Sequence, residues 1–432
     1  MKLQVMMEVE VPEDLGSFQE AEQKIRNSMF KSGQEMMLLL FKHHEARSLE
    51  SKSFWMKDKR SRIYQTLVGE FQIQRLRVFD HKHHVYRYPL DEWLGVGSFQ
   101  KVTPGLRDMI VESVIHHSYR QSGQEIFKWT GIKRSPISDW KLVQEHAENQ
   151  KTFEKPVFDW KLKPLPQASQ KNMCPILAID PDGTYCKNQD GEGKDHDVKM
   201  AVLYTGKEIK GNKSRLLNKQ VLMSKSNESV SDFFNRVTQT AMTHYGAHRD
   251  TKIIVHGDGD TWIKGLKSDY WESALLRLDP WHLKKKIRLV VGDVPPEWEA
   301  NIYGKPDLLV TQINLWKVQK TSPDSQERKK AEELVQYIKN NREGLLPSGV
   351  SKEEKDKYPG MYKRGSGTIE SQVGHCFGAR FKLPRMSWST RGLDNLSYLR
   401  EKYLNRNLKP QYTVPQPLTR QRIALKLGRQ IH

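Results

Sequence analysis

Two short apolar runs, each closed by acidic residues, constrain this chain more than any other feature. Ile176-Leu177-Ala178-Ile179 ends in Asp180, and Ile253-Ile254-Val255-His256 runs into Gly257-Asp258-Gly259-Asp260. Short, β-branched apolar runs bounded by turn residues read as strands covered on both faces. The segments around them complete an α/β layer. Val198 to Tyr204 and Leu216 to Met223 read as strands, Val230 to His244 as a helix, and Ala274 to Leu278 as a strand leading into the basic helix His282 to Leu289. Three strands, a helix, a strand, a helix, a strand and a helix is the order of an RNase H-like sheet. An α/β RNase H-like core is therefore expected over residues 173–405.

In such a sheet the first and fourth strands are neighbours. Asp180 and Asp258 then converge although 77 residues lie between them (258 − 180 − 1). A third carboxylate is expected from a helix crossing beside them. Glu370 is the best placed, in Gly367-Thr368-Ile369-Glu370-Ser371-Gln372-Val373, with Ile369, Val373 and Phe377 free to face the sheet. Asp182 and Asp260 stand two residues further along, point the same way from a continuing strand, and rival Asp180 and Asp258 for the aspartate posts. Three converging carboxylates suit Mg²⁺, with Mn²⁺ as its usual substitute, because hard cations prefer oxygen ligands. Two such ions activate an attacking oxygen and stabilise the leaving oxygen of a phosphoryl transfer.

The N-terminal part reads differently. Residues 17–48 carry apolar positions at helical spacing, and Arg62 to Tyr88 shows short β-type runs separated by turns, with the histidines His81, His83 and His84 at a polar hairpin tip. Residues 1–104 are thus expected as a helical and β-meander region. Over residues 105–150, helical segments at Leu106 to Arg120, Gln124 to Thr130 and Pro136 to Ala147, broken by Gly131 and Ser135-Pro136, have the layout of a helix-turn-helix. Its second helix, with Lys133, Arg134, Ser138, Trp140 and Lys141, would enter a major groove. An ordinary three-helix packing unit is the alternative.

Residues 151–172, with Pro156, Pro164 and Pro166, read as a linker. The interval from Asp258 to Glu370 exceeds what one connection needs, so a helical insertion is expected at about 290–362. Its segment Ser325 to Asn341 is a charged helix with a solvated face. Past Glu370, the basic residues Arg380, Lys382 and Arg385 interleave with Phe381 and Trp388 as a possible grip on a nucleic-acid strand. Residues 406–432 form a basic tail.

Charge identifies the class of partner. With 71 Lys and Arg against 52 Asp and Glu, the formal charge is +19. A surplus of that size points to a polyanion, since basic side chains gain affinity by releasing counterions from phosphates. The longest apolar run, Met36 to Phe41, falls far short of the roughly 18 residues a membrane span needs. No membrane contact is expected, and without a secretory leader the expected place is the cytoplasm, at the nucleoid. The three cysteines show no CxxC spacing that would mark a zinc site.

The stretch from Val255 to Ile263, followed by Leu278-Asp279-Pro280-Trp281-His282-Leu283, resembles the second-aspartate region of the ISLre-type bacterial insertion-sequence transposases, relatives of the Mutator-like group. Gly367 to Ser371, continued by Gly378-Ala379-Arg380, Met386-Ser387-Trp388-Ser389 and Gly392-Leu393-Asp394, is similar to their glutamate region. Gly69-Glu70 and Tyr88-Pro89-Leu90-Asp91 extend the likeness through most of the chain. The resemblance implies a transposase of the three-carboxylate (DDE) kind. Asp180, Asp258 and Glu370 take the catalytic and metal-binding posts, and His282, three residues after Asp279, matches the histidine of a (Cys or Asp)-x-x-His motif at the scissile phosphate. It also implies an insertion that holds the transposon end, double-stranded DNA as partner at element ends and target, and a homo-oligomer assembled on that DNA. A non-catalytic DNA-binding regulator and a structure-specific nuclease are the alternatives. Pro181 and Asp260 depart from the family pattern, which leaves Asp180 against Asp182, and Asp258 against Asp260, open.

Overall fold

The computed structural model describes residues 17–50, 53–165, 167, 174–191, 193–211, 213–362 and 368–408. The chain divides into two compact units, one built on residues up to Thr152 and one on Phe153–Leu408.

The first unit begins with the single long helix α1 (Phe18–Leu49), started by Ser17, whose side chain accepts from the Glu20 amide. Strands β1 (Phe54–Thr66), β2 (Gly69–Asp80) and β3 (Val85–Arg87) form an antiparallel meander in that order. At its hairpin end His83 Nδ1 lies 2.8 Å from Asp80 Oδ2, so this histidine serves a polar turn. Helix α2 (Pro89–Leu94) follows. Phe41 of α1, Tyr64 of β1 and Leu90 of α2 bury together with Val96.

Beside that small core lies a compact ionic knot. Asp91 of α2 pairs with Arg62 and Arg75 and accepts from the Tyr64 hydroxyl, and these three charged side chains are each no more than 12% exposed. The Arg75 guanidinium also lies 3.6 Å from the centroid of the Tyr88 ring.

Three helices complete this unit: α3 (Pro104–His116), α4 (Tyr119–Thr130) and α5 (Pro136–Lys151). The first ends four residues earlier than its apolar pattern suggests. Ser118 and Gln121 form a reciprocal capping box, which starts α4 at Tyr119. Gly131 closes α4 at φ 70, a left-handed conformation that glycine adopts without strain.

The second unit is built on a five-stranded mixed sheet. Its strands are β4 (Ile176–Cys186), β5 (His196–Tyr204), β8 (Gln220–Met223), β9 (Lys252–Gly257) and β10 (Leu275–Leu278), in the order β10-β9-β4-β5-β8. Strands β4, β9 and β10 run parallel, whereas β5 is antiparallel to both β4 and β8. The expected strand Leu216 to Met223 is in fact two. Asn218, at φ 49, breaks it into β7 (Lys213–Leu217), which pairs with β6 (Gly206–Lys210) as a separate hairpin, and β8. Helices α6 (Val230–Tyr245) and α7 (Thr261–Asp269) cover one face, burying Phe233, Phe234, Val237 and Leu266 against Leu177, Ile179, Ile253 and Val255. Part of the expected linker belongs to this unit. Trp160 packs on that core, donating through its amide to Asn235 Oδ1 at 2.7 Å and through Nε1 to Gln239 Oε1 at 2.9 Å.

A helical layer enters after β10. It comprises α8 (Pro280–Val291), α9 (Pro296–Glu299), α10 (Pro306–Lys320), α11 (Gln326–Asn340) and α12 (Arg342–Leu345), and it has its own core around Leu283, Ile287, Ile302, Leu309, Ile313, Leu334 and Ile338. The charged helix is therefore two-faced: Ala331, Leu334, Val335 and Ile338 are buried opposite its exposed charges. Helix α13 (Lys352–Lys357) precedes α14 (Thr368–Gln372), which continues as a π-helix (Val373–Gly378) and the short α15 (Ala379–Phe381) before α16 (Thr390–Leu404). Gly367 and the tail beyond residue 408 lie outside the described residues. No helix among the described residues is long and apolar enough to cross a membrane.

Removing one member of a buried charge cluster leaves the others unpaired in a poor solvent. Asp91→Asn is expected to lower the unfolding free energy of the first unit by roughly 3–5 kcal/mol in urea denaturation, the usual cost of that loss. Asp58→Asn, at a carboxylate paired with Arg60 and Arg77 at the surface, is expected to leave the urea midpoint close to that of wild type.

Candidate active site

The register of the two parallel strands decides which acidic residues meet. β4 and β9 pair from Ile176↔Lys252 to Ile179↔Val255, a constant offset of 76 (252 − 176). Carried forward, that offset sets Asp180 level with His256 and Asp182 level with Asp258 (258 − 182 = 76). The first pairing is a direct contact, with His256 Nδ1 at 2.8 Å from Asp180 Oδ1. β4 does not stop at Asp180 but continues to Cys186. Beyond Ile179 it has no β9 partner, so Pro181 can turn its missing donor to the open side.

Asp180 and Asp182 consequently occupy different environments. Asp180 is fully buried and accepts from the Tyr204 hydroxyl at 3.2–3.3 Å as well as meeting His256. Its carboxylate is removed from solvent and already engaged by two neighbours. Asp182 is half-buried within β4, where the strand has run past its β9 partner, and its Oδ1 accepts from the Gly183 amide at 2.8 Å. Burial, and then the charge of Asp258, push the Asp182 carboxyl up to about 6. His282 opposes that shift.

Asp258 and Asp260 share one tight turn. The Asp260 amide donates to Asp258 Oδ1 at 2.9 Å, and Gly259 between them sits at φ 91. Burial and the Asp258 charge raise the Asp260 carboxyl, with Lys286 and His282 opposing. Asp279 starts α8 beside this turn: its amide donates to the Gly257 carbonyl at 2.8 Å, and its carboxylate caps the Trp281 amide at 2.9 Å. His282 and Lys286, one turn apart on α8, thus act electrostatically on the acidic group. Sequence patterns single out His282 but not Lys286, since a lysine within a run of basic residues carries no positional signal.

Glu370 is exposed on α14, which packs against β4. The π-turn that follows has its carbonyls held by Arg400, whose guanidinium donates to His375 O at 2.7 Å and to Cys376 O. π-turns of this kind often mark functional positions in helices. Among the described residues, no group of three or more His, Cys, Asp or Glu side chains is arranged to hold a metal ion. The structure brings Asp182, Asp258 and Asp260 within electrostatic reach of one another, while Glu370 is exposed on α14. A carboxyl whose proton affinity is raised by a neighbouring carboxylate, as that of Asp182 is by Asp258, is a suitable start for a hard divalent cation, which would relieve the repulsion.

The remaining expected contacts divide by exposure. Lys133, Ser138 and Lys141 are exposed along the turn and α5, whereas Trp140 is half-buried. Arg134 is tied down, its Nε 2.5 Å from the buried Asp139 and its Nη1 bonded to Gln65, so it anchors α5 to β1. In the second unit Lys382 and Arg385 are exposed. Arg380 is fully buried with its guanidinium 4.9 Å from the Trp388 ring centroid, so it packs the core and presents nothing to a phosphate.

A carboxyl whose proton affinity is raised by folding favours the native state at low pH, and that contribution is lost as pH rises through about 6. Asp182→Asn is accordingly expected to melt above the metal-free wild type at pH 7.5, by roughly 2–4 °C, the shift that about 1 kcal/mol gives in a domain of this size. The gap should narrow as pH falls below about 6 and close only near the ordinary aspartate value of about 4; differential scanning calorimetry across that range measures it.

Residues 13–410 match the profile described as Uncharacterised protein family (UPF0236). A UPF0236 protein of Caldanaerobacter subterraneus subsp. tengcongensis, TTE0610/TTE0881/TTE1053/TTE2432, is 23% identical over 340 residues, or 78% of this chain and 66% of the relative. TTE1650/TTE2708 of the same organism is 23% identical over 340 residues, or 78% of this chain and 62% of the relative. A third relative there, whose name joins eleven loci from TTE0033 to TTE2212, is 22% identical over 339 residues. The chain thus spans 62% to 66% of the first two relatives' length. Among solved structures, the Drosophila P element transposase strand transfer complex aligns with 75% of this chain and 86% of that chain, at 11% identity and a TM-score of 0.24, too low to bear on the fold. The match over residues 13–410 establishes that this chain belongs to the UPF0236 family.

Proposed function

We propose that this protein is a metal-dependent DNA transposase, with an RNase H-like core that uses Asp182, Asp258 and Glu370 as its three carboxylates. The observation that carries the reading is that the β4–β9 register, extended past its last pair, sets Asp182 level with Asp258 just beyond the end of β9, where the Asp258 charge raises the Asp182 carboxyl, His282 acts on Asp182, and His282 and Lys286 act on Asp260. The strand order supports it. Numbered within the sheet, β8-β5-β4-β9-β10 reads 3-2-1-4-5 with strand 2 reversed, as an RNase H-like fold requires. Further support comes from the relatives, since one name joining eleven loci of a single genome is the copy pattern of a mobile element.

In this reading Asp182 replaces Asp180, whose bonds to Tyr204 and His256 make it a buried support. Mg²⁺ held by the carboxylates would activate an attacking water or 3′-hydroxyl and stabilise the leaving oxygen. His282 and Lys286 place positive charge or donors where the scissile phosphate would lie. Glu370, on α14, would supply the third carboxylate. The helix-turn-helix formed by α4 and α5 would dock on the element's ends through Lys133 and Lys141, and a homo-oligomer would hold two ends together. One observation favours a second reading, a DNA-binding regulator without catalysis: among the described residues no group of three or more His, Cys, Asp or Glu side chains is arranged to hold a metal ion.

Labelled DNA carrying the element's own ends, incubated with Mg²⁺, tests these readings. The intact protein is expected to nick and join the ends. Asp182→Asn, Asp258→Asn and Glu370→Gln are expected to bind DNA yet lose roughly 10³-fold in rate, as removal of several kcal/mol of metal-derived stabilisation implies. Asp180→Asn is expected to lower stability and keep cleavage. Binding by every protein with cleavage by none would leave the regulator; cleavage without joined strands would indicate a nuclease.

Separately, Lys133→Ala and Lys141→Ala should each weaken DNA binding and reduce the dependence of log affinity on log salt by roughly one. Salt titrations by fluorescence anisotropy measure that slope.

A further inference from the structure

The turn that carries Asp258 is held from the helical layer that follows β10. Tyr337 on α11 donates its hydroxyl hydrogen to the main-chain carbonyl of Asp258. Lys286 of α8 caps the ring of Tyr337, its Nζ 4.6 Å from the centroid. Asn341, directly after α11, donates through Nδ2 to the Tyr337 carbonyl at 3.0 Å. The same side chain lies so close to Gly259 that a Cβ there would approach it to 2.7 Å. The Gly257–Asp260 turn is thus gripped on its carbonyl by one residue of the helical layer and pressed on its glycine by another. Both residues sit on or just past one helix, so the turn follows any movement of α11.

We propose that Tyr337 is a positioning residue for a divalent cation at Asp258: by fixing the Asp258 carbonyl it sets the direction of the carboxylate, and it ties cation affinity to the seating of α11. This rests on the reading of Asp258 as a metal ligand. Tyr337 does not touch the carboxylate itself, and its hydroxyl bond goes to the main chain. Its effect is therefore geometric, an outer-layer restraint of the kind whose loss typically weakens metal binding by roughly 10- to 100-fold. Lys286 couples the same ring to α8, the helix that carries His282, so one aromatic side chain joins the aspartate turn to the basic helix facing it. Charged helices such as α11 carry no sequence sign of this duty. Tyr337 stands among Glu333, Gln336 and Lys339, and only the fold brings it to a turn 79 residues away.

Mn²⁺ binding to the full-length protein without DNA, followed by calorimetry and by the loss of free-ion electron paramagnetic resonance signal, tests this independently of turnover. Wild type is expected to bind, and Asp258→Asn to lose binding. Tyr337→Phe keeps the ring and removes only the hydroxyl; it is expected to bind roughly tenfold more weakly while its metal-free melting curve overlays that of wild type. Gly259→Ala, which must displace Asn341 and strain a left-handed turn, is expected to weaken binding comparably. Wild-type Mn²⁺ affinity in both Tyr337→Phe and Gly259→Ala would overturn the positioning role while leaving Asp258 as a ligand. Absence of Mn²⁺ binding by wild type would instead remove the metal reading from which this inference starts.

Discussion

Strands β4 and β9 lie side by side in parallel, and their shared register organises the second unit. The offset of 76 residues creates two layers of paired side chains along the same direction. The inner layer, Asp180 with His256, is closed by Tyr204 and removed from solvent. In the outer layer Asp182 feels the charge of Asp258, and repulsion between the two is left standing. Buried polar groups must find partners, and the inner layer does so almost entirely within the protein. The outer layer does not, which marks it as the place where a ligand would be gained. A slip of one residue in this register would turn one strand's aspartates to the opposite face.

The helical layer after β10 makes the outer pair a site. Helix α8 begins on the β9 turn through the Asp279 amide, which sends His282 and Lys286 across the acidic group. Helix α11 then closes over that turn through Tyr337 and Asn341. The helical layer inserted between Asp258 and Glu370 therefore has a local physical consequence, the fixing of the turn that carries Asp258. The core of the layer, with Leu334 and Ile338 against Leu283 and Ile287, keeps α8 and α11 in one piece, so the basic helix and the turn are positioned together.

Much of this was legible in the residue order. Alternating apolar runs and helical periodicities marked the strands and helices of the sheet, and the acidic residues after each apolar run marked where the β4–β9 pairing ends. The different surroundings of Asp180 and Asp182 were not legible, because the apolar run ends at Asp180 while the strand does not, and only the fold shows Asp180 enclosed by Tyr204 and His256 with Asp182 half-buried beyond it. The division of β7 from β8 rests on one asparagine adopting a left-handed conformation, a choice that apolar runs cannot reveal. The boundary between α3 and α4 was in principle readable, since Ser118 and Gln121 have the spacing of a capping box. Arg380 shows the limit of composition. A basic residue among aromatics suits a nucleic-acid grip and a cation–aromatic core equally well, and burial against Trp388 selects the second.

Crystals of the protein grown with Mn²⁺ and short duplex DNA, measured at a wavelength where manganese scatters anomalously, test the central claim most directly. The account predicts an anomalous peak bridging the Asp182 and Asp258 carboxylates, at about 2.0–2.3 Å from their oxygens as hard-ion coordination requires, with Glu370 drawn toward it and Asp180 still bonded to His256. A peak at Asp180 instead, or none between the two strand ends, would contradict it.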